Sequence, residues 1–428
     1  MANQASAGDL LQLVRTGSAT TRGDLQRVTG LSRATVGQRL DRLFRAGWLR
    51  EGDAAPSAPS PQGGRPSVRL EFDDRHAIVL AADLETRHSR AAALSLTGDV
   101  LAETSWPVLL SEGPEHVLGE LGARFARLLR DEGLDPASVC GIGVAVPGPV
   151  DSGSGTLVDP PIMSGWGGFD LSGRLARAFA EASGSVRGPA GGSGGGAAGG
   201  SGGGAAGGFE GGALPPVPVL VENDANLMAY GEQRTGWPEC RAFALVKVST
   251  GIGAGVVVDG TVYRGVDGGA GDIGHIRVPA GEGLDCMCGA QGCLAAVASG
   301  RALAARLRAA GVPAASGSDV RALLAEGHPE AAGLARQAGR QVGEVLATVV
   351  TLLNPGVLMI AGDLAGTPFL TGVRELLYQR ALPRCTAHLD VVTSRLGDRA
   401  ALVGAAHLVV EHLYAPGRAE ERLTALGV

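Results

Sequence analysis

The sequence predicts an α/β protein in which a small helical module precedes two larger lobes of strands and helices. Three observations support this fold class. The first 50 residues carry apolar side chains at helical spacing, and two later stretches each begin with consecutive strand patterns. Both of those stretches then continue as alternating strands and helices. With 428 residues, of which 45% are hydrophobic, the chain is expected to form two or three domains.

The charge of the chain is unevenly distributed. Its net charge is −6, yet residues 1–70 contain ten arginines and only five acidic residues, so the remainder is strongly acidic. A basic module on an acidic body predicts nucleic acid binding at one end only. Six cysteines, three of them clustered, favour a reducing compartment over a disulfide scaffold. No signal peptide and no apolar run of about 18 residues is found, so we expect a cytoplasmic protein without a membrane span.

The first two helices of the N-terminal module are predicted from short apolar stripes. The first helix ends near Gly17, and Thr20 or Thr21 can cap the second. The side chains expected to face inward are Leu10, Leu11 and Val14 in the first helix and Leu25 and Val28 in the second.

A third helix follows a tight turn at Gly30 and is capped by Ser32. Its predicted buried face consists of Val36, Leu40, Leu43 and Phe44. Two helices joined by a tight turn, the second exposing polar side chains, make a helix-turn-helix that can enter a major groove. A strand from about Gly47 and a second strand ending at Leu70 complete a winged form of this motif.

The third helix and the wing supply the expected contacts with double-stranded DNA. Base edges are expected to be read by the residues at the N-terminal end of that helix, Arg33, Thr35 and Gln38. Phosphates are expected to be met by Arg22, Arg39 and Arg42. Arg65 at the tip of the wing is placed in a minor groove. The alternative is a small helical module that binds proteins and exposes solvated arginines.

The body of the chain predicts two lobes, each a β-meander continued by α/β alternation. Strand patterns lie at 77–83, 90–96, 100–107, 139–146, 218–221, 242–249, 253–258, 357–361 and 389–392. Helical patterns lie at 114–133, 169–182, 298–311, 318–326 and 330–353, and begin near 368 and 398. This order describes the actin-like ATPase (ribonuclease H-like) architecture, in which the cleft between the lobes is the default ligand site.

The domain boundaries follow from this pattern. We expect a DNA-binding domain at 1–72, an N-terminal lobe at 73–225 and a C-terminal lobe at 226–428. The last helix is expected to pack back on the N-terminal lobe. Residues 184–213 are Gly, Ala and Ser in near-repeat, and they predict a flexible surface loop because they offer nothing to bury.

A cluster of potential metal ligands lies in the second lobe. Cys286, Cys288 and Cys293 stand in a Gly-rich turn, and His275 precedes them. Zn²⁺ takes Cys₃His sets in closed structural sites. Asp272 lies close to His275 in sequence, so a metal there would hold a carboxylate and an imidazole in fixed relation. The alternative is a tight turn with incidental buried cysteines.

Two further stretches are candidates for ligand contacts. Asn223 and Asp224 lie at a strand end that enters a helix, where they could supply a sugar-binding amide and a general base. The alternative is a polar helix start with Asp224 as the cap. The loop at 249–255, Ser-Thr-Gly-Ile-Gly-Ala-Gly, could bring backbone N–H groups to a phosphate, although such turns are common.

The order of these motifs resembles the ROK family (repressors, open reading frames and sugar kinases), and the winged helix resembles its repressor branch. The most specific matches are Glu222-Asn223-Asp224, Gly274-His275, the segment from Cys286 to Cys293 and Gly-Gly-Arg-Pro at 63–66. The resemblance implies a structural zinc ion on His275 and the three cysteines. It also implies a sugar pocket lined by Asn223, Asp224, Asp272 and His275, with Asp224 at the position of the kinases' catalytic base.

Several departures from the family pattern argue against kinase activity. The kinases place an Asp-x-Gly-Gly-Thr turn after the first strand of the lobe, whereas this chain reads Asp-Leu-Glu-Thr-Arg from Asp83. Glu85 is expected to repel a phosphate by about 4 kcal/mol at 4 Å and an effective dielectric of about 20. Ala361-Gly362-Asp363 replaces a run of glycines on the adenosine side, and Ala295 replaces a glutamate that meets a sugar hydroxyl. Asp272 replaces a glutamate one methylene longer.

The sequence therefore predicts a DNA-binding regulator, most simply a repressor of carbohydrate genes, with a degenerate kinase body as sugar sensor. A homodimer or homotetramer would present its recognition helices to an inverted-repeat operator, with half-sites about 34 Å apart or a multiple of that distance. The alternative is an active sugar kinase with an added DNA-binding domain. A third possibility is a module that acts through proteins alone.

Overall fold

The computed structural model describes residues 5–54, 68–151, 154–158, 160, 163–184 and 217–428. Arg65, the Gly-Gly-Arg-Pro segment at 63–66 and almost all of the Gly-rich stretch at 184–213 lie outside the described residues. Within the described ranges, no helix combines the length and apolar character needed to cross a membrane.

The N-terminal module contains α1 (Ala7–Arg15), α2 (Arg22–Thr29) and α3 (Arg33–Arg45), followed by the antiparallel strands β1 (Leu49–Ala54) and β2 (Val68–Phe72). Thr21 caps α2 and Ser32 caps α3, each by accepting a hydrogen bond from a backbone N–H in the first turn. Gly30 ends α2 in the left-handed conformation, with φ of 69°. The fold of the module is a winged helix-turn-helix.

One side chain of this module was assigned to the wrong face. Leu25 is fully buried, but Val28 is 48% exposed. The helix α2 is only eight residues long, so its buried face contains Leu25 and Thr29, and Val28 projects to the side. In α3 the expected positions Val36, Leu40 and Leu43 are buried.

The first five-stranded sheet has the order β5-β4-β3-β6-β7. Its elements are, in chain order, β3 (Ile78–Leu84), β4 (His88–Leu94), β5 (Val100–Pro107), α4 (Pro114–Asp131), β6 (Val139–Val146), α5 (Leu171–Ala182) and β7 (Val219–Asn223). The first three strands form an antiparallel meander, and β6 and β7 then add in parallel. Every residue of the central strand β3 is buried, as expected for a strand covered on both faces.

The second sheet repeats this plan in the order β10-β9-β8-β11-β12. It opens with α6 (Asp224–Gly236), β8 (Ala242–Val248), β9 (Ile252–Val258) and β10 (Thr261–Val262). It continues with α7 (Leu294–Ala298), α8 (Gly300–Ala309), α9 (Gly317–Ala325), α10 (Pro329–Leu353), β11 (Val357–Ala361), α11 (Thr367–Arg380), α12 (Pro383–Thr386) and β12 (Asp390–Thr393). The helix expected at 298–311 is α8, which Ser299 caps, and the short helix α7 precedes it. The repeated plan is the two-lobed architecture that the sequence predicted.

Two helices pack between the sheets and set the shape of the cleft. They are α6 and α13 (Ala400–Tyr414), and α13 also packs against β3 and β6 of the first sheet. The two helices cross where Gly231 meets Gly404, and a Cβ on Gly404 would lie 1.9 Å from the carbonyl oxygen of Leu227. Only glycine allows the two helix backbones to approach this closely. The close packing of α6 against α13 holds the start of α6 beside the cleft.

The last helix, α14 (Pro416–Ala425), returns to the N-terminal module and packs against α1. The sequence had suggested one final helix, but Pro416 starts a second one at a new angle. Tyr414 lies at the junction, where its hydroxyl is 2.6 Å from His76 Nε2 and its ring stacks edge-on against Trp48. The chain end therefore ties the module to the body.

Candidate functional site

A cleft of about 730 Å³ opens between the two sheets. Its walls come from β3 and the turn after it, from the start of α6, from β8 and from the turn that follows Gly271. This volume is in the range of pockets that bind small molecules. Asn223, Asp224, Asp272 and His275, the four residues assigned to a sugar pocket, all line it.

Lys247 lies on the floor of this cleft and carries the only lysine charge in the chain. Its Nζ donates to Asp224 Oδ2 at 2.8 Å and lies 3.6 Å from Glu85 Oε1. Lys247 is 8% exposed, Asp224 is 7% exposed and Asp83, next to them, is 3% exposed. The floor is therefore a buried cluster of carboxylates around one ammonium group.

The protonation states of this cluster follow from burial and from neighbouring charges. Burial raises the pKa of Asp83 to about 7, while Lys247 opposes that shift and Glu85 and Asp224 add to it. Burial alone would lower the pKa of Lys247, but Asp224, Glu85 and Asp83 more than offset it and raise that pKa well above its ordinary value. The ammonium is charged at neutral pH, whereas Asp83 takes up a proton far more readily than an ordinary carboxylate.

The surroundings of Glu85 correct the electrostatic argument made from the sequence. Glu85 was treated as an isolated negative charge, but it lies between Lys247 and Arg90, whose guanidinium is 3.8 Å away. Arg90 in turn bonds Asp398 at 2.8 Å, across the cleft. Because cations already compensate Glu85, its repulsion of a phosphate is weaker than that of a lone carboxylate.

Asn223 holds its position through both ends of its amide. Its Oδ1 accepts from the backbone N–H of Asn226 at 3.2 Å, which makes Asn223 the N-cap of α6. Its Nδ2 donates to the carbonyl of Gly148 at 3.1 Å. The N-cap of α6 is thus Asn223, whereas the alternative interpretation of the sequence assigned that role to Asp224. One N–H of the amide remains available to a ligand.

A tight turn places Asp272 and His275 at the other end of the cleft. Gly271 has φ of 104°, and a Cβ there would lie 1.9 Å from the carbonyl oxygen of Ala254. Gly274 approaches the backbone of Ile252 just as closely. The two glycines press the turn onto β9, and both Asp272 and His275 remain exposed to the cleft. Their polar atoms are therefore accessible to a ligand.

The wall next to this turn lacks a polar side chain at one position. Ala295, in the first turn of α7, lines the cleft and is 7% exposed. Since a methyl group cannot hydrogen-bond, a ligand hydroxyl at this point would find no partner from position 295.

His275, Cys286, Cys288 and Cys293 converge on one point, with their ligand atoms all within 4.8 Å of one another. His275 Nδ1 lies 3.7 Å from Cys286 Sγ, and the sulfurs of Cys288 and Cys293 are also 3.7 Å apart. A tetrahedral ion with metal–sulfur bonds of about 2.3 Å separates its ligands by about 3.8 Å. The four residues therefore fit a tetrahedral metal, and Nδ1 as the ligand atom leaves Nε2 of His275 free.

The residues assigned to DNA contacts differ in their surroundings. Arg33 and Gln38 are exposed on α3, and Thr35 is half-buried with its hydroxyl 2.8 Å from that of Ser32. Arg22 pairs with Glu51 at 3.3 Å. Arg39 is half-buried, and its Nη1 has no hydrogen-bond partner within the part of the chain that the structure describes. The tip of the wing, with Arg65, is not described.

Arg42 is engaged within the protein. Its guanidinium bonds the carboxylate of Glu420 on α14, and its Nε donates to the carbonyl of Val428 at 3.1 Å. Before it could meet a phosphate, Arg42 would have to leave these partners. In this arrangement it links α3 to the last helix.

The sequence analysis gave no role in the cleft to Lys247, the single lysine of the chain. A signal was present in the sequence, because Lys247 places a charge within the otherwise apolar strand pattern at 242–248. Arg90 and Asp398 were also missed. Their ion pair joins residues 308 apart in the chain, which no local pattern reveals.

Comparison with known proteins places the chain among sugar-related regulators and kinases. The sequence model of the ROK family matches residues 215–412. A putative xylose repressor of Caldicellulosiruptor is 25% identical over 411 residues, covering 92% of each chain. A glucokinase of Streptomyces coelicolor is 35% identical over 218 residues, covering 46% of this chain and 68% of that enzyme.

Solved structures give the same picture. A ROK family transcriptional regulator, a homologue of the E. coli MLC protein, superposes with a TM-score of 0.73 at 25% identity, covering 98% of both chains. A ROK family glucokinase from Streptomyces griseus in complex with glucose and AMPPNP gives a TM-score of 0.61 at 25% identity. That likeness covers 78% of this chain and 99% of the glucokinase.

Proposed function

The chain belongs to the ROK family, and from this premise we propose that it is a sugar-responsive transcriptional repressor. The observation that carries the proposal is the likeness to a ROK transcriptional regulator over 98% of the chain, which includes the N-terminal winged helix-turn-helix. Relatives similar over more than nine-tenths of their length are named xylose repressors. The basic charge of residues 1–70 supports the same conclusion.

We assign DNA reading to residues 1–72, with α3 in the major groove. Arg33 and Gln38 are exposed at the N-terminal part of α3, where base edges are within reach, and Thr35 lies between them. Arg22 and Arg39 are the proposed phosphate contacts. In a two-fold dimer, two such modules would meet the half-sites of an inverted repeat.

The sugar would bind between the lobes proposed at 73–225 and 226–428. Asp272 offers carboxylate oxygens, His275 offers Nε2 and Asn223 offers one amide N–H, so donors and acceptors surround the same space. Asp224 stands at the position of the kinases' base, but Lys247 occupies its Oδ2. The group that would take a proton from a sugar hydroxyl is thereby bound to an ammonium.

Sugar binding would reach the DNA module through α13 and α14. The helix α13 packs on both lobes, and Tyr414 at its end contacts Trp48 and His76. Arg42 of α3 bonds Glu420 on α14. A shift of one lobe relative to the other would therefore move α3, and effector and operator would weaken each other's binding.

We further propose that the metal at His275, Cys286, Cys288 and Cys293 is zinc in a structural role. Three thiolates and one imidazole are the donor set that zinc prefers, and their spacing suits a tetrahedral ion. Such an ion would fix the turn that carries Asp272 and the start of α7. It would leave no open position for a catalytic water.

The second candidate, an active sugar kinase with a DNA-binding module, is favoured by the likeness to the two glucokinases. It requires an ATP site at the turn after β3, where Lys247 and Arg90 both form ion pairs with Glu85. A coupled assay with ATP and a panel of hexoses decides between the two. Turnover of any hexose at enzymatic rates would favour the kinase.

The repressor proposal is tested by footprinting the purified protein on the promoters that flank its own gene. We expect a protected inverted repeat. Gln38→Ala should chiefly relax base preference, by about 1–3 kcal/mol at the contacted position, whereas Arg39→Ala should weaken binding to all sequences and reduce the salt slope by about one. If no flanking DNA fragment is retarded, DNA reading by this module is wrong.

A further inference from the structure

A buried lysine on the cleft floor is the feature that the proposed function leaves unexplained. Lys247 lies on β8, whose other residues, Ala, Phe, Ala, Leu, Val and Val, are all apolar. Placing an ammonium among them is expensive unless anions surround it. Its long side chain brings Nζ to the one place in the cleft where three carboxylates converge.

The three carboxylates come from separate elements of the fold. Asp224 begins α6, Asp83 lies in β3, and Glu85 lies in the turn after β3. Asp224 and Glu85 pair with Lys247 directly, at 2.8 and 3.6 Å, and Asp83 is coupled to it electrostatically. Asp83 Oδ1 is buried without a hydrogen-bond partner among the described residues. Such a set of converging oxygens is the environment that a hard divalent cation prefers.

By the resemblance to the family's kinases, Nζ lies in the path that phosphoryl transfer would take. In the family's kinases the turn after the first strand approaches the ATP phosphates, and the position of Asp224 holds the base. A phosphoryl group passing from one to the other would cross the space between Glu85 and Asp224. The ammonium of Lys247 lies in that space, bonded to both sides.

The lysine does not turn this floor into an anion site. Three carboxylates outnumber one ammonium, so the cluster is negative even when Asp83 is protonated. Arg90 also contacts Glu85, at 3.8 Å, but it bonds Asp398 more closely, so this pair adds no net positive charge. A phosphate brought here would add negative charge to a negative floor.

We propose that Lys247 determines the ligand class of the cleft: its ammonium holds the place of the divalent cation that would carry a phosphate group, so the site accepts an uncharged, unphosphorylated sugar and excludes nucleoside triphosphates and sugar phosphates. This inference rests on the proposed sugar-sensing function for its accepted ligand. Its excluded ligands follow from the net negative charge of the floor and from the position of the Lys247 ammonium. Free sugar, and not its phosphorylated product, would be the signal.

The first test uses the wild-type protein. Calorimetric titrations with glucose, xylose, glucose 6-phosphate and Mg²⁺–AMPPNP compare neutral and phosphorylated ligands. We expect any binding to come from a neutral sugar, with at least a tenfold loss of affinity for its 6-phosphate and no detectable binding of the nucleotide. Binding of Mg²⁺–AMPPNP, or of glucose 6-phosphate as tightly as glucose, overturns the inference.

The second test removes the ammonium. Lys247→Met keeps the length of the side chain and leaves the carboxylates uncompensated, so Mn²⁺ added alone should bind at least tenfold more tightly than to the wild type. Lys247→Arg keeps a cation and should still exclude Mn²⁺. Arg241→Met is the matched control, because Arg241 is an exposed cation paired with Asp259 away from the cleft.

The outcomes separate this inference from the proposed function. If no sugar binds the wild type and operator affinity never responds to sugar, the sensor proposal fails. The Mn²⁺ and nucleotide measurements then still test the proposed role of Lys247. A folded Lys247→Met protein with unchanged Mn²⁺ affinity contradicts the inference. If Lys247→Met does not fold, the double variant Lys247→Met, Asp83→Asn takes its place in the test, because it leaves one fewer uncompensated carboxylate. The titrations of the wild-type protein do not depend on either variant.

Discussion

The two ends of the cleft use polar residues in opposite ways. At the end near the metal cluster, Asp272 and His275 are exposed and direct unpaired atoms into open space. At the other end, Lys247 forms ion pairs with both Asp224 and Glu85. The first end, called the open end below, presents polar atoms to a ligand. At the second, the closed end, the charged groups are paired within the protein.

This difference suggests how an enzyme fold can serve as a sensor. The backbone of both ends is held by the same repeated sheet topology, so the cleft keeps its shape. On the proposal made above, Lys247 and its partners at one end would take the place of the contacts that a nucleotide needs. The open end can then change its occupancy without any reaction following, which is what a sensor requires.

The largest effect is expected from removing the proposed metal ion that supports the open end of the cleft. Cys293→Ser removes one of the proposed metal ligands, and loss of a structural ion should lower the free energy of unfolding by at least about 5 kcal/mol. Metal content by mass spectrometry and thermal unfolding measure both losses together. Cys240→Ser, at a cysteine outside the cluster, is the control and should keep its metal. Metal-free protein of unchanged stability would contradict the proposed zinc site.

Breaking the closed end should have the next largest effect. Lys247→Met leaves Asp224 buried without its ion pair, and we expect a loss of about 3–5 kcal/mol in urea unfolding. Adding Asp224→Asn to this variant removes the stranded charge and should recover a large part of the loss. A double-mutant cycle with no coupling between the two positions would show that the pair does not stabilise the floor.

A smaller effect, on binding alone, is expected at the open end. Asp272→Asn removes a charged hydrogen-bond partner and should weaken sugar binding by about 1.5–3 kcal/mol. Because Asp272 is exposed, the unfolding midpoint should hardly change. Asp267→Asn, an exposed carboxylate of the same segment that does not line the cleft, should leave calorimetric affinity unaltered. Equal affinities of all three proteins would remove Asp272 from the site.

The smallest effect concerns pH and Asp83. Its folded pKa of about 7 exceeds the unfolded value near 3.9, so the folded state holds more protons between these values and loses stability as pH rises through them. Asp83→Asn should therefore be more stable than the wild type at pH 8, and the gap should close towards pH 4. Urea unfolding across this range measures it. A gap that grows towards acid pH would reverse the sign and contradict the burial argument.

Local patterns predicted much of this fold. The repeated meander and α/β order is visible in the alternation of apolar residues, and the ligand spacing from Cys286 to Cys293 is visible in the sequence itself. The caps Thr21 and Ser32 are also local, since each bonds an N–H three residues later.

The missing parts were long-range. Glu85 was treated as a lone charge because Lys247, its partner, lies 162 positions later in the sequence and only the fold joins them. The ion pair of Arg42 with Glu420 was missed because nothing near Arg42 in the sequence indicates it. Val28 was placed inside because a helix of eight residues allows more than one apolar face. Ion pairs between distant elements depend on tertiary packing, which periodicity does not encode.

The central claim is that sugar in the open end of the cleft changes the affinity of the N-terminal module for DNA. Its most direct test is a fluorescence anisotropy titration of operator DNA at increasing concentrations of the sugar that binds. We predict that operator affinity falls and that saturating operator lowers sugar affinity by the same factor. Operator affinity that stays constant at every sugar concentration would contradict the account.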